Sequence, residues 1–287
     1  MLNPRNVSNG VRRICDGVDK LGRGSSSLPS YRKRFGQHHL VHPGLCRPLV
    51  EFLRPHGRTV LEIGPGGGAL TRALLEAGAS VVAVEVDPAW AFVLRPRLMD
   101  PGLRVAVADA LTIDWKRLAA GWLVAGNLPY NVATPLIRGI LEGLSTGSRA
   151  GFLVQHEVGK RLTASPGGGE YGALTVLVAA RARVEEIARV GASSFRPPPK
   201  VDGLFVGLTV RDPAVAEPEM EAFGRLVQAA FARRRKTLRN SLGAAWGREA
   251  AEATLAAAGL DPRERAERLS LGDFVRLHRA ALVAKPA

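Results

Sequence analysis

The segment Gly64-Pro65-Gly66-Gly67-Gly68 could bring main-chain atoms close to a bound molecule. It follows a β-branched run and precedes a helical pattern, which places it at the carboxyl end of a strand. Glu85 comes about 20 residues later, the spacing at which an acidic side chain meets ribose hydroxyls in nucleotide-binding α/β folds. Together these residues indicate a cofactor that contains adenosine. A glycine-rich turn alone is weak evidence, and Glu85 could instead be a solvated carboxylate at a strand end.

A second motif, Asn127-Leu128-Pro129-Tyr130, suits chemistry on an exocyclic amine. The N6 lone pair of adenine is conjugated into the ring, so this amine is a poor nucleophile until acceptors hold its hydrogens and direct the lone pair toward a methyl donor. The Asn127 side-chain oxygen and the Leu128 or Pro129 carbonyl can be those acceptors, and Tyr130 offers a face for the base. We assign Asn127 an orienting role, not that of a general base. The alternatives are a β-turn that closes a strand and a dinucleotide-binding fold, although hydride transfer has no use for this motif.

The elements that must position these motifs alternate between β-branched runs and helical patterns, as in βαβ units. A helix is expected to begin at Thr134-Pro135, with Thr134 as its cap. Other predicted helices cover 69–77 and begin near 88, and the predicted strands are 60–63, 80–86, 103–108, 122–125, 151–154, 204–210 and an antiparallel edge strand near 185–190. We therefore predict an α/β fold with a seven-stranded, mostly parallel sheet and a small all-helical C-terminal domain.

The domain boundaries follow from composition. Residues 1–34 carry eight basic and two acidic residues without hydrophobic periodicity, which predicts a flexible basic arm. An organelle transit peptide or a misassigned start are the alternatives. Residues 35–211 form the predicted cofactor-binding domain, and 212–287 the helical domain.

Cys15 and Cys46 are interpreted as free thiols. No run of residues is long and apolar enough to predict a membrane-spanning helix. We expect a monomer in the cytoplasm.

The charge balance points to a polyanionic partner. Lysine and arginine number 40 against 26 acidic residues, a formal net charge of +14, which favours binding of nucleic acid through its phosphates. Five cations lie within seven residues of a predicted helix, and three more precede the first strand. The candidate RNA-binding residues are Arg32, Lys33, Arg34, Arg233, Arg234, Arg235, Lys236 and Arg239. A solvated charged surface is the alternative interpretation.

Over about 32–282 the chain resembles the KsgA family of ribosomal RNA adenine dimethyltransferases, a sister family of the Erm resistance methyltransferases. The matching segments are 33–40, 61–66, 84–87, 127–130, 171–172, 194–202, 231–240 and 265–270. The resemblance implies a class I methyltransferase that dimethylates the N6 amines of two adjacent adenosines near the 3′ end of small-subunit (16S) rRNA. An Erm-like enzyme acting on large-subunit (23S) rRNA is the nearest alternative. A non-catalytic rRNA-binding assembly factor is an alternative of another class.

The same resemblance implies roles for individual residues. Phe195 would stack on the target adenine opposite Tyr130, although an aromatic beside a proline run is more often a packing residue. The implied S-adenosylmethionine site comprises His38, Leu40, Gly64, Gly66, Glu85, Asp109 and Asn127. Asp109 fits independently, because a carboxylate after the third strand could accept from the adenine amine of the cofactor.

One segment departs from the family pattern. His39 stands where the family usually has an aromatic residue, and His38 stands where asparagine is common. His38, His39, His42 and Cys46 could suggest a metal site, but no second cluster completes it, and we predict no metal.

Overall fold

The computed structural model describes residues 28–32, 37–118, 120–129, 132–233 and 235–284. The chain divides into two compact units. The first comprises 1–159 and 184–211, and the second comprises 160–183 and 212–287.

The first unit is built on the predicted seven-stranded sheet, so the predicted fold class is confirmed. The strands are β2 (Thr59–Ile63), β3 (Ser80–Glu85), β4 (Leu103–Val107), β5 (Leu123–Asn127), β6 (Arg149–Gln155), β7 (Ala182–Val190) and β9 (Gly203–Val210). Their order across the sheet is β4-β3-β2-β5-β6-β9-β7, with β7 at one edge as expected. Strands β2 to β6 pair in parallel, and β9 runs antiparallel to β6.

Burial on both faces explains why the central strands β2, β3, β5, β6 and β9 are mostly hydrophobic, whereas the edge strand β7 is largely exposed or half-buried and is rich in charged residues. The pattern of β3, for example, is buried at every position after Ser80. The helices that follow or precede the strands are α1 (Arg47–Leu53), α2 (Ala69–Glu76), α3 (Pro88–Leu98), α4 (Ala133–Gly143) and α5 (His156–Thr163). Leu49, Leu74 and Leu94 from the first three of these helices join the core of the sheet.

A short ribbon lies apart from the main sheet. It pairs β1 (His39–Leu40) with β8 (Phe195–Arg196) in antiparallel register, His39 opposite Arg196 and Leu40 opposite Phe195. The ribbon therefore brings the segment before the first helix next to the proline-rich segment that begins at Pro197.

One predicted helix start is wrong. Helix α4 begins at Ala133, with Val132 in the cap position and no side-chain capping bond. Thr134 and Pro135 therefore lie inside the first turn. Proline is tolerated there because the first-turn N–H groups have no partner within the helix.

The second unit is helical and contains α6 (Ala173–Ala179), α7 (Met220–Phe231), α8 (Leu238–Trp246), α9 (Arg248–Ala257) and α10 (Leu271–Ala284). Its later segment begins at Asp212, where we placed the boundary, but 160–183 also belongs to it. Tyr171 explains this difference, since its ring lies in the same core as Phe223 and Phe274 and its hydroxyl donates to the Leu269 carbonyl at 2.7 Å.

The arginine-rich segment is not the helix that we predicted. Helix α7 ends at Phe231 and α8 begins at Leu238, so Arg233, Arg235 and Lys236 lie in the connecting turn. All three are exposed. Cations on several faces of one helix would put some of them into the core, whereas a turn leaves them in solvent.

Within the described residues, no helix combines the length and the apolar character that crossing a membrane requires.

Candidate active site

A cavity of about 190 Å³ lies at the carboxyl ends of β2 to β5. Strand order explains its composition, because parallel strands deliver the residues that follow them to one edge of the sheet. The predicted site residues that line it are His38, Gly64, Glu85, Asp109, Asn127, Leu128 and Pro129. Apolar neighbours such as Ile63, Ala108 and Leu136 complete its walls.

The glycine loop after β2 is held in a conformation that favours glycine. Gly64, Gly66 and Gly68 have φ of 64°, 49° and 82°, all in the left-handed region. A Cβ on Gly66 would lie 2.6 Å from the His39 ring. Gly66 lies outside the cavity lining, but its N–H donates to Oε2 of Glu85 at 3.1 Å. Its effect on the site is therefore to position Glu85.

Glu85 is buried, and both of its carboxylate oxygens accept main-chain N–H groups. Gly66 donates to Oε2, and Asp87 donates to Oε1 at 3.0 Å. Burial raises the pKa of Glu85, and these two hydrogen bonds oppose the rise. A carboxylate oxygen accepts more than one hydrogen bond, so the group that lines the cavity can still accept from a bound hydroxyl.

Asp109 stands two residues after β4, exposed at the rim of the same cavity. Its Oδ1 accepts from the Leu111 N–H at 2.9 Å, which caps a short 3₁₀ turn. The cap fixes the direction of the carboxylate. The second oxygen carries no such constraint and can accept from a ligand donor.

Asn127 is oriented by the segment before β1. Its Nδ2 donates to the His38 carbonyl at 2.7 Å, and the His38 ring nitrogen Nδ1 donates to the Pro197 carbonyl at 2.8 Å. Since a carbonyl can only accept, the amide nitrogen must face His38. The Oδ1 of Asn127 is thereby left as the acceptor end of the amide.

The two main-chain acceptors that the sequence left open differ in the structure. The Pro129 carbonyl accepts the Val132 N–H at 3.1 Å. The Leu128 carbonyl accepts no hydrogen bond from the described residues, while the Leu128 N–H is anchored to the Leu153 carbonyl at 3.0 Å. Leu128 therefore offers the less engaged acceptor beside Asn127. Tyr130 lies outside the described residues.

Other predicted site residues lie away from the cavity. Leu40 is 8% exposed and Phe195 is 1% exposed, and both belong to the core of the first unit. Phe195 packs as a core aromatic here, so its stacking on a base stays a prediction that requires the ring to become exposed.

Two of the predicted RNA-binding arginines lie near carboxylates. Arg32 lies 3.6 Å from the Asp87 carboxylate, and Arg239 on α8 lies 3.7 Å from Glu252. Lys33, Arg34 and Arg234 lie outside the described residues, as does 1–27 of the predicted arm.

Sequence reasoning missed two polar residues that support the site. Asp87 is fully buried and caps α3 through the Ala89 N–H. Gln37 lines the cavity and donates to Asp87 at 3.1 Å. The signal was present in the sequence, because Asp87 directly before Pro88 is typical of a helix cap followed by proline at the first helical position.

His39 packs edge-on against Trp90, with ring centroids 4.3 Å apart, and contacts Tyr31 at 5.2 Å. Burial, helped by His38, lowers the pKa of His39 to about 4, although Asp87 opposes the shift. The ring is therefore neutral at pH 7 and acts as an aromatic packing group. Among the described residues, no three His, Cys, Asp or Glu side chains are placed to hold a metal ion.

The fold and the site together define a class I methyltransferase: a seven-stranded sheet with one inserted antiparallel strand, and a cavity at its carboxyl edge that combines a glycine loop, a strand-end carboxylate and an oriented asparagine. The family model described as ribosomal RNA adenine dimethylase matches residues 29–281. The chain belongs to that family, and the resemblance found in the sequence is confirmed. Its members are enzymes that methylate adenine in ribosomal RNA.

Named relatives agree with this assignment. The ribosomal RNA small subunit methyltransferase A of Acidithiobacillus ferrooxidans is 40% identical over 89% of this chain and 96% of its own length. The protein of the same name from Pseudomonas aeruginosa is 40% identical over 86% of this chain and 92% of its own.

Two solved structures share the fold. A dimethyladenosine transferase from Plasmodium falciparum has a TM-score of 0.69 at 24% identity, covering 84% of this chain and 96% of that one. The 23S rRNA methyltransferase ErmE has a TM-score of 0.62 at 27% identity, covering 89% and 99%.

Proposed function

We propose that this protein transfers methyl groups from S-adenosylmethionine to the N6 amines of two adjacent adenosines near the 3′ end of small-subunit (16S) rRNA, and so contributes to ribosome maturation. The observation that carries the proposal is the orientation of Asn127 at the cavity, with its Nδ2 committed to the His38 carbonyl at 2.7 Å. Such an asparagine presents an oxygen to an incoming amine.

The residues around the cavity fit S-adenosylmethionine, which supplies an electrophilic methyl group when it is bound. Glu85, at the end of β3, lines the cavity and can accept from ribose hydroxyls. Asp109, at the rim of the same cavity, can accept from an adenine amine. Gly64 has a φ of 64°, a conformation that favours glycine, and it lines the cavity beside these two carboxylates. This combination supports a cofactor with a nucleoside at one end.

The target amine needs two acceptors. The Asn127 Oδ1 and the Leu128 carbonyl are adjacent along the chain, and both residues line the cavity. Holding the two N6 hydrogens directs the nitrogen lone pair away from the ring system, and the fixed dipoles stabilise the positive charge that develops on the nitrogen. The amine becomes cationic as it is methylated and loses its proton afterwards, so no general base is required.

The small-subunit target is favoured over the large-subunit target by relatedness. The relatives named small subunit methyltransferase A are 40% identical over nearly their whole length, whereas ErmE is 27% identical. Unmethylated ribosomal subunits are therefore the substrates to compare.

Exposed cations support RNA binding by the second unit. Arg233, Arg235 and Lys236 project from the turn between α7 and α8, where a flexible guanidinium or ammonium group can reach phosphates. We propose that this turn and Arg32 contact the RNA backbone, and that the protein acts in the cytoplasm as a monomer. Arg239 and Arg32 contribute less than the turn, because Arg239 shares Glu252 with Arg248 and Arg32 lies 3.6 Å from the Asp87 carboxylate.

The test is methyl transfer to isolated ribosomal subunits. The purified protein is incubated with labelled S-adenosylmethionine and either small or large subunits that lack the modification, and the labelled nucleotide is mapped by mass spectrometry. We expect dimethyladenine in small-subunit RNA. Label in large-subunit RNA would transfer the assignment to an Erm-like activity, and cofactor binding without transfer to either subunit would favour a non-catalytic assembly role.

A further inference from the structure

The first unit has a second, cationic groove beside the cofactor cavity. Among the RNA-binding residues considered so far, none that the structure describes lines it. It has a volume of about 420 Å³ and lies beside the glycine loop and the β1–β8 ribbon. Its lining includes Arg72, Arg97, Arg196 and Tyr31. No aspartate or glutamate occurs among the described residues that line it.

The three arginines come from three separate elements and converge on this groove. Arg72 is on α2, Arg97 is in the last turn of α3, and Arg196 is on β8 directly opposite His39. All three are exposed. In the part of the chain that the structure describes, none of them is ion-paired with a carboxylate, whereas exposed arginines such as Arg47 and Arg117 are.

Local structure does not neutralise the positive charge of two of these arginines, Arg72 and Arg196. Arg72 lies at the end of the first turn of α2, where a cation opposes the helix dipole and an anion is favoured. Arg196 donates through one nitrogen, Nη1, to the Phe195 carbonyl at 3.0 Å and to the Ser193 carbonyl at 3.4 Å. These bonds fix the direction of the guanidinium and leave its Nε and Nη2 groups for another acceptor.

An aromatic ring stands among these cations. Tyr31 is 40% exposed, and it is held by ring contacts with Trp90 at 5.3 Å and with His39 at 5.2 Å. Each of the three arginines can bind a phosphate, and the ring beside them is anchored and partly exposed. Proteins that bind single-stranded nucleic acid combine such cations, which contact the backbone, with aromatic rings, on which the bases stack.

We propose that this groove binds the phosphate backbone of the RNA substrate through Arg72, Arg97 and Arg196, with a base against Tyr31. The inference rests on the proposed function, since it extends the RNA-binding surface of the same enzyme to the first unit. The groove would hold RNA next to the glycine loop, on a surface distinct from the turn between α7 and α8.

The experiment compares two full-length variants that each lose three positive charges. The groove variant combines Arg72→Gln, Arg97→Gln and Arg196→Gln. The matched control combines Arg47→Gln, Arg117→Gln and Arg225→Gln, at exposed arginines already paired with Glu51, Asp114 and Glu221. Affinity for a small-subunit rRNA fragment is measured by fluorescence anisotropy at several salt concentrations, and S-adenosylmethionine affinity by calorimetry.

We expect the groove variant to bind the rRNA at least ten times more weakly than the control at low salt. The slope of log K against log salt should fall by about 2, because three phosphate contacts at about 0.7 each are lost. S-adenosylmethionine affinity and melting temperature should match those of the control. A salt slope equal to that of the control overturns the inference, as does selective binding of inorganic phosphate without any change in rRNA affinity.

The wild-type protein separates this inference from the proposed function. If it binds the rRNA with the expected groove dependence but transfers no methyl group, the proposed function fails and the groove stands. If it methylates small-subunit rRNA and the groove variant binds like the control, only the groove fails.

Discussion

The side-chain amide of Asn127 donates to the main-chain carbonyl of His38 across 2.7 Å, although 89 residues separate them in the chain. His38 is itself fixed by its bond to the Pro197 carbonyl. The orientation of the asparagine therefore depends on two segments far from it in sequence. These are the segment before β1 and the proline-rich segment after β8, which the β1–β8 ribbon brings together.

Replacing Asn127 by alanine should strongly slow methyl transfer and leave RNA affinity unchanged. Loss of one preorganised acceptor costs a factor of about 10² to 10³ in kcat, because the amine is then no longer oriented. Single-turnover transfer to small ribosomal subunits measures the rate, and anisotropy with the rRNA fragment measures binding.

Asn127→Asp is the informative companion variant. Aspartate keeps an acceptor at the cavity, but it cannot donate to the His38 carbonyl, so the two oxygens would repel each other. We expect it to be nearly as inactive as Asn127→Ala. Activity close to wild type for either variant would contradict the orienting role.

Gly66 offers a test of the loop geometry. A Cβ there would lie 2.6 Å from the His39 ring in a residue with φ of 49°. Gly57 has a similar φ of 68° but has open space around it, so Gly57→Ala isolates the backbone strain, about 1 kcal/mol. Gly66→Ala should cost a further 1 to 3 kcal/mol of unfolding free energy, roughly the penalty of overpacking, and should weaken S-adenosylmethionine binding by displacing Glu85.

Urea unfolding of the two variants measures the difference. In the double variant Gly66→Ala/His39→Ala the clash is gone, so the two substitutions should be strongly non-additive. Equal destabilisation by Gly57→Ala and Gly66→Ala would show that the His39 ring moves aside without cost.

The carboxyl-edge residues could be placed from the sequence because each ends or follows a strand of a parallel sheet. Gly64, Glu85, Asp109 and Asn127 needed only the βαβ alternation to be assigned to one edge. These four residues line one cavity because the alternating strand and helix patterns predict a parallel sheet, and the carboxyl ends of its strands share one edge.

Other features depend on contacts that no local pattern contains. Tyr171 joins the second unit through a hydrogen bond to Leu269, 98 residues later, so the boundary at Asp212 was incomplete. The arginine-rich segment has good helix formers, yet the helix ends at Phe231, because solvation of clustered cations outweighs weak helix propensity. The burial of Phe195 depends on pairing with Leu40 in the ribbon, which periodicity could not reveal.

The turn between α7 and α8 should contribute to RNA affinity and not to chemistry. Arg233→Gln combined with Arg235→Gln should weaken rRNA binding and lower the salt slope by about 1.4, roughly 0.7 for each phosphate contact. The KM for ribosomal subunits should rise while kcat stays close to wild type. Arg225→Gln with Arg263→Gln, at exposed arginines of the same unit that pair with Glu221 and Asp261, is the charge-matched control. An unchanged salt slope would make the turn a solvated surface.

His39 should make the stability of the protein depend on pH. Burial and the neighbouring His38 lower its pKa from 6.5 to about 4, against the opposing effect of Asp87. The unfolded chain therefore binds a proton on this residue between about pH 6.5 and pH 4, while the folded chain does not. The unfolding free energy should fall as pH is lowered through this window, by about 2 kcal/mol at pH 5 relative to pH 7.5.

His39→Phe keeps a ring against Trp90 but cannot be protonated, so its urea midpoint should vary less over the same range. The control His42→Gln, at an exposed histidine, should follow the wild-type profile. A His39→Phe profile parallel to that of the wild type would show that the acid sensitivity arises from other groups.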